Sequence, residues 1–252
     1  MFRHENCLNA HSRYPQIILT PPAPRANQPD MSNRAYSHTE NISAKICGLT
    51  REVDIESAVR YGARFLGFIV EASSKRRLSV AQAAKLAGPV RGIVSRVAVT
   101  VNATDSLLSR ITKDMAPDFI QCHGEETVEH IAYIRQKFDV KIIKAVPIAS
   151  LNDIKTAHEY AGIADYILYD AKPPKGSDIR GGHGTRIDWP LIKSAPRPKQ
   201  FFLAGGLGPE NVTQAIKQTG ASFVDVSTGV EARAGVKEVR KIKAFMDAVN
   251  SL

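Results

Sequence analysis

The 252-residue sequence lacks the features that would assign it to a specialised class of protein. It has no run of the roughly 18 to 20 consecutive apolar residues that a membrane-spanning helix requires. Cysteine is scarce: Cys7, Cys47 and Cys122 are odd in number, widely spaced and without a CxxC pair. This usage argues against a disulfide framework and against a zinc site, and it favours a reducing compartment. We therefore expect a soluble, cytoplasmic protein.

Aromatic residues are also few, at 7%, and the basic residues are scattered. The formal charge of +9, from 34 Lys and Arg against 25 Asp and Glu, attracts anions of every kind. Only Lys75-Arg76-Arg77 forms a tight basic run, and no basic stripe is interleaved with aromatic rings. The sequence thus predicts no nucleic-acid partner and no membrane partner, whereas a phosphorylated small molecule suits its charge.

Residues 1–42 are predicted to form a disordered arm, and residues 43–252 a single domain. Five of the 14 prolines lie in the arm, which has no glycine and no hydrophobic periodicity. Its arginines and serines also suggest a transit peptide. A third reading is an upstream start codon, with Met31 as the true start.

From Ser43 onward, short apolar runs alternate with segments of helical periodicity, which is typical of parallel βα units. Eight strands are predicted, over residues 44–47, 65–70, 96–101, 119–122, 141–146, 166–169, 201–204 and 223–226. Helical patterns lie at residues 53–61, 79–86, 106–115, 127–138, 151–160, 211–218 and 237–249. Eight such units predict a single (β/α)8 TIM barrel. A doubly wound sheet is the alternative, but the residues after the first strand lack a GxGxxG turn.

Two candidate catalytic residues lie where predicted strands end, which is where the reacting groups of such barrels sit. Cys47 ends the first strand, although most free cysteines are small buried hydrophobic residues. A catalytic role would require a thiolate, and hence a positive local field that the sequence does not show. Asp170 follows the sixth strand and is either a capping residue or an acid that apolar surroundings keep protonated. The two would face each other across the open end of the barrel.

Three glycine-rich segments follow the last three predicted strands, at residues 181–185, 204–208 and 227–229. In barrels, the loops after strands seven and eight commonly bind phosphate, because glycine lets backbone N–H groups approach the oxygens. The coincidence of three such segments predicts a substrate that carries a phosphate.

Arg76, Gln121 and His123 are further polar candidates at strand ends. Arg76 could bind a carboxylate through two hydrogen bonds, or it could belong to a solvated surface cluster. A lone histidine such as His123 is more often a hydrogen-bonding residue than a base. Because no second His or acid stands beside it at metal-ligand spacing, we expect no metal.

A set of short motifs occurs in a defined order along the chain. They are Lys45-Ile46-Cys47-Gly48, Gly67-Phe68-Ile69, Ser74-Lys75-Arg76, Gln121-Cys122-His123-Gly124, residues 203–207 with 209–212, and residues 224–231. This ordered set resembles the phosphoribosylanthranilate isomerase family, and the match spans residues 44 to about 249.

The resemblance implies a cofactor-free Amadori rearrangement in tryptophan biosynthesis. N-(5-phosphoribosyl)anthranilate would become 1-(o-carboxyphenylamino)-1-deoxyribulose 5-phosphate, with Asp170 as general acid at the furanose ring oxygen and Cys47 as general base at C2. Arg76 would hold the anthranilate carboxylate, and Gln121 and His123 would also contact the substrate. The phosphate would be held by Gly184, Gly205, Gly206, Ser227, Thr228 and Gly229.

The chain departs from the family pattern near the predicted phosphate site. His183 stands where Thr or Ser is usual, Thr228 replaces a serine, and Ala234 replaces a proline.

Two other functions are alternatives to this isomerase activity. The related isomerase of histidine biosynthesis uses two aspartates, against which Cys47 argues. A phosphate-binding barrel without activity is disfavoured by the presence of both Cys47 and Asp170. Monomer and homodimer are both compatible with the sequence.

Overall fold

Eight parallel strands form a closed barrel in the computed structural model, which describes residues 42–172, 187–196 and 198–252. The strands are β1 (Ser43–Cys47), β2 (Phe65–Val70), β3 (Ser95–Thr100), β4 (Phe119–Cys122), β5 (Lys141–Ile148), β6 (Tyr166–Ala171), β7 (Phe201–Leu203) and β8 (Phe223–Val226). Each strand pairs with the next one along the chain, and β8 pairs with β1, which closes the ring. The predicted (β/α)8 TIM barrel is confirmed.

A helix follows each strand, and each packs an apolar face against the outside of the barrel. The helices are α1 (Glu52–Arg60), α2 (Val80–Ala87), α3 (Asp105–Arg110), α4 (Val128–Phe138), α5 (Leu151–His158), α6 (Trp189–Ser194), α7 (Val212–Thr219) and α8 (Val239–Asn250). Helix α6 is not predicted from the sequence, because its six residues are too few to show a helical period. The single helix predicted over residues 106–115 is α3 followed by a π-helical turn, Ile111–Met115.

Aromatic side chains fill the barrel interior at the end where the strands begin. Phe65, Phe119, Tyr166, Phe202 and Phe223 lie near the beginnings of their strands, with neighbouring ring centroids 4.8 to 6.5 Å apart. Side chains alternate in and out along a strand, so the inward-facing positions further along each strand line the opposite end. We call this end, formed by the carboxyl ends of the strands, the barrel mouth.

Short strands brace the loops around the barrel mouth. Arg77–Leu78 pairs with the end of β2, and Glu231–Arg233 pairs antiparallel with Val236–Lys237 after β8. Strand β6 also runs two residues further than predicted, so that Asp170 lies inside it, opposite Pro147 of β5. The backbone of Asp170 is therefore fixed by the sheet rather than by a loop.

Two predictions fall on residues that the structure does not describe. These are the arm, of which only Ile42 is described, and the glycine-rich segment at residues 181–185, which contains His183 and the phosphate residue Gly184. Across the described ranges, no helix is both long and apolar enough to cross a membrane.

Candidate active site

Cys47 is the last residue of β1, and its side chain lies in the barrel mouth, 7% exposed. Lys45 faces the same way, two residues earlier, and its Nζ lies 3.0 Å from Oδ1 of Asp225 on β8. Burial raises the pKa of the Cys47 thiol, while the charges of Lys45 and Lys237 act in the opposite direction. The positive field that the sequence could not show is thus present, but burial outweighs it in this state.

Asp170 is joined to His123 and Gln121 in one chain of hydrogen bonds. Oδ2 of Asp170 lies 3.2 Å from Nε2 of His123, and Nδ1 of His123 lies 2.9 Å from Nε2 of Gln121. The backbone N–H of Ala171 donates to Oδ1 of Asp170 at 2.8 Å. Gln121 and His123, which the family resemblance places at the substrate, thus bond to each other, and His123 also bonds to the candidate acid.

Arg76 is held by a carboxylate of the protein itself. Its Nε and Nη2 donate to the two carboxylate oxygens of Glu231, each at 2.7 Å, and Nη2 lies 3.2 Å from Oγ1 of Thr228. The aliphatic part of Arg76 crosses Gly48, where a Cβ would lie 2.4 Å from Cδ of Arg76. Arg76 is therefore part of the barrel mouth and not of a solvated surface cluster.

Lys237 connects this ion pair to the loop after β8. Its Nζ donates to Oε1 of Glu231 at 3.0 Å and to the carbonyl oxygen of Ser227 at 3.1 Å. Burial alone would raise the pKa of Glu231, but Arg76 and Lys237 outweigh it and lower that pKa. The result is a buried group of charges that fixes both the guanidinium and the loop at Ser227.

The predicted phosphate residues lie on two loops in direct contact. Gly205 and Gly206 adopt positive φ angles of 85° and 63° after β7. Gly229, after β8, packs so closely on the first loop that a Cβ there would lie 2.0 Å from the carbonyl oxygen of Leu207. Glycine is required at these positions by backbone conformation and by close packing, respectively. The structure thus brings together the described members of the predicted set.

Four charged residues at the barrel mouth were given no role by the sequence analysis. All four are buried: Lys45, Asp225, Glu231 and Lys237. The sequence pattern that could have identified them is a charged residue in or beside an apolar strand segment, as in Lys45-Ile46-Cys47 and Val224-Asp225-Val226. No group of three or more His, Cys, Asp or Glu residues among those described is arranged to hold a metal ion.

Comparison with known proteins identifies relatives over nearly the whole barrel. The family model for N-(5'-phosphoribosyl)anthranilate (PRA) isomerase matches residues 44–248. The N-(5'-phosphoribosyl)anthranilate isomerase of Rhodospirillum rubrum is 43% identical over 209 residues, which cover 81% of this chain and 96% of the relative.

Solved structures agree with the family match. The phosphoribosylanthranilate isomerase of Thermotoga maritima superposes with a TM-score of 0.75 at 33% identity, covering 84% of this chain and all of that one. A phosphoribosylanthranilate isomerase in complex with reduced 1-(o-carboxyphenylamino)-1-deoxyribulose 5-phosphate gives a TM-score of 0.72 at 32% identity, with the same coverage of both chains. The chain therefore belongs to the N-(5'-phosphoribosyl)anthranilate isomerase family.

Proposed function

We propose that Asp170 and Cys47 perform, as general acid and general base, the reaction that family membership assigns to this chain. That reaction is the isomerisation of N-(5'-phosphoribosyl)anthranilate in tryptophan biosynthesis. The observation that carries the proposal is the placement of a buried carboxyl group and a buried thiol at the mouth of one closed barrel. The rearrangement needs one group that donates a proton and one that accepts a proton, each within reach of its reacting atom.

The proposed steps move protons only. Asp170 protonates the furanose ring oxygen as the C1–O bond breaks, and the nitrogen lone pair forms the C1=N bond of a Schiff base. The Cys47 thiolate takes the proton from C2, and the C2–H electrons form the C1=C2 bond of an enolamine while the C1=N pair returns to nitrogen. Transfer of the enol proton to C1 gives the ketone. The site is reset when one proton passes from the thiol to the carboxylate.

Gln121 and His123 suit a carboxyl group that alternates between two protonation states. With Nε2 of Gln121 donating to Nδ1 of His123, the Nε2–H of His123 donates to an Asp170 carboxylate. When the side-chain amide of Gln121 is rotated by about 180°, its Oε1 accepts a hydrogen bond from Nδ1–H of His123. Nε2 of His123 then accepts a hydrogen bond from the protonated carboxyl group of Asp170. Oε1 of Gln121 is buried without a hydrogen-bond partner in this structure, so it is available for that second arrangement.

Two other parts of the barrel mouth are proposed to bind the substrate: the Arg76 guanidinium and the loops after β7 and β8. The bidentate pair with Glu231 engages Nε and Nη2 of Arg76, which directs Nη1 toward a carboxylate such as that of anthranilate. The backbone N–H groups of the contacting loops at Gly205, Gly206 and Gly229, with Ser227 and Thr228, would hold the phosphate.

We further propose a cytoplasmic location, because the described cysteines Cys47 and Cys122 are both free thiols.

The test is the decay of anthranilate-type fluorescence when purified protein is added to freshly made phosphoribosylanthranilate. We expect rapid decay with the wild type and near-complete loss of turnover in Asp170→Asn and Cys47→Ala, with product affinity retained in Asp170→Asn. Cys122→Ala is the matched control, because that buried thiol lies in the core outside the barrel mouth. An active Asp170→Asn or Cys47→Ala protein would remove that residue from the mechanism. Turnover of only the aminoimidazole substrate of histidine biosynthesis would overturn the choice of substrate.

A further inference from the structure

The buried ion pair between Lys45 and Asp225 lies directly beside the candidate base. Lys45 is fully buried and Asp225 is 8% exposed, and the two residues are register partners on the neighbouring strands β1 and β8. Burial alone would lower the pKa of Lys45, but the Asp225 carboxylate, 3.0 Å away, and Cys47 together outweigh it and raise that pKa. The pair thus favours a charged ammonium group at Lys45 inside the barrel. Such a pair contributes little net stability compared with well-packed apolar side chains.

Gly67 on β2 provides the space in which the ammonium group and the thiol meet. It is the register partner of Cys47, and a Cβ at this position would lie 2.8 Å from Sγ of Cys47 and 3.0 Å from Nζ of Lys45. The two groups thus occupy the volume that a side chain at residue 67 would fill. The hydrogen bond and charge of Lys45 both act on the thiol across this space.

We propose that Lys45 is a positioning residue that stabilises the thiolate of Cys47, and that the carboxylate of Asp225 weakens this stabilisation. The proposal rests on Cys47 being the base of the proposed function. An ammonium group close to sulfur favours the thiolate over the thiol, whereas a nearby carboxylate favours the thiol. The two members of one ion pair therefore have opposite effects on the base.

Other charges facing the pair are the same for every variant considered below. Lys237, from the segment after β8, and Arg76, from the loop after β2, also act on the Cys47 thiol. Asp225 is faced in addition by Asp170 of β6 and by His123 of the loop after β4. Because these groups are unchanged between variants, differences in thiol pKa report on Lys45 and Asp225.

The experiment is a titration of thiolate absorbance near 240 nm in the full chain, each protein being measured against its own Cys47→Ser counterpart. Subtraction removes the other thiols, including Cys122, whose pKa burial raises to about 12. We expect Lys45→Met to raise the thiol pKa and Asp225→Asn to lower it, each by on the order of one pH unit. The limb on which kcat/KM rises with pH should move in the same two directions.

Lys144→Met is the matched control, since it removes an equally buried lysine from an ion pair with Glu126 on another side of the barrel. It should leave the Cys47 titration unchanged.

If Lys45→Met alone does not fold, the double variant Lys45→Met/Asp225→Asn replaces it, and its thiol pKa should exceed that of Asp225→Asn. Unchanged values, or shifts of one sign in both single variants, would overturn the proposal. Failure of the proposed function would show separately, as a wild type that titrates as expected but does not consume the substrate.

Discussion

Arg76 is oriented by the protein before any substrate is bound. Both carboxylate oxygens of Glu231 hold its guanidinium, and Lys237 donates a further hydrogen bond to Glu231 that fixes the carboxylate. A long side chain that is already ordered loses less conformational entropy when it binds a ligand. If Arg76 binds the substrate carboxylate as proposed, Glu231 is the residue that orients it for that contact.

Glu231→Gln should weaken substrate binding more than it slows the chemical step. The amide cannot accept two charge-assisted hydrogen bonds from Arg76, so the guanidinium loses its fixed orientation. We expect KM to rise about tenfold, equivalent to about 1.4 kcal/mol, with a smaller change in kcat. Steady-state kinetics measure both values, and Glu238→Gln, at a half-exposed glutamate paired with Lys241, is the control. A fall in kcat at constant KM would contradict this role.

Two loops with separate origins in the sequence form one surface at the barrel mouth. The loop after β7 contains Gly205 and Gly206, and the loop after β8 contains Gly229, which touches the backbone at Leu207 and Gly208. Neither loop can move toward the other, since no side chain separates them. Their N–H groups are thus held in place by backbone packing, which suits the binding of a phosphate.

Gly229→Ala should separate these loops and impair phosphate binding. The new methyl group would lie 2.0 Å from the Leu207 carbonyl oxygen, so one loop must shift. We expect KM to increase by about tenfold or more and inhibition by inorganic phosphate to weaken, at a cost in stability of about 1–3 kcal/mol. Gly88→Ala is the control, because a Cβ there meets nothing within 4 Å. Unchanged phosphate inhibition in Gly229→Ala would place the phosphate elsewhere.

The elements of the barrel could be predicted because apolar runs and helical periods are local properties of the sequence. All eight strands were found within two residues at each end, whereas α6 was too short to be recognised. The pairing of Arg76 with Glu231 could not be predicted, because these residues are 155 positions apart and meet only when the barrel closes. The same applies to Lys45 and Asp225, which are 180 positions apart. Chain closure, and not local pattern, creates the charged part of the barrel mouth.

At the scale of the whole molecule, a further buried ion pair, between Glu126 and Lys144, connects three successive βα units. The Glu126 carboxylate accepts hydrogen bonds from the backbone N–H of Asn102 at 2.8 Å and of Gly124 at 2.9 Å, and from Nζ of Lys144 at 2.8 Å. It thus joins the loops after β3 and β4 to strand β5, beside His123. Burial alone would raise the pKa of Glu126, but Lys144 and the backbone donors outweigh it and lower that pKa.

This lowered pKa makes the stability of the barrel depend on acidity in a defined direction. The unfolded chain releases the Glu126 proton near its ordinary pKa of about 4.3, whereas the folded chain releases it at lower pH. The stabilisation is therefore complete above about pH 4.3 and is lost as the pH falls through the folded pKa. Glu126→Gln removes this dependence and leaves Lys144 buried without a carboxylate, at a cost of about 3–5 kcal/mol near neutrality.

Urea unfolding of the wild type and of Glu126→Gln at about pH 7 and about pH 4 measures this contribution. The variant should be much less stable than the wild type at neutral pH. The gap should begin to narrow at about pH 4, because the unfolded wild-type chain then binds a proton at Glu126 that the folded chain does not. Glu56→Gln, at an exposed position of α1, should show neither effect. An equal loss of stability at both pH values would mean that Glu126 acts through packing rather than through its charge. The narrowing gap would show that the charge of one buried carboxylate contributes to the stability of the barrel.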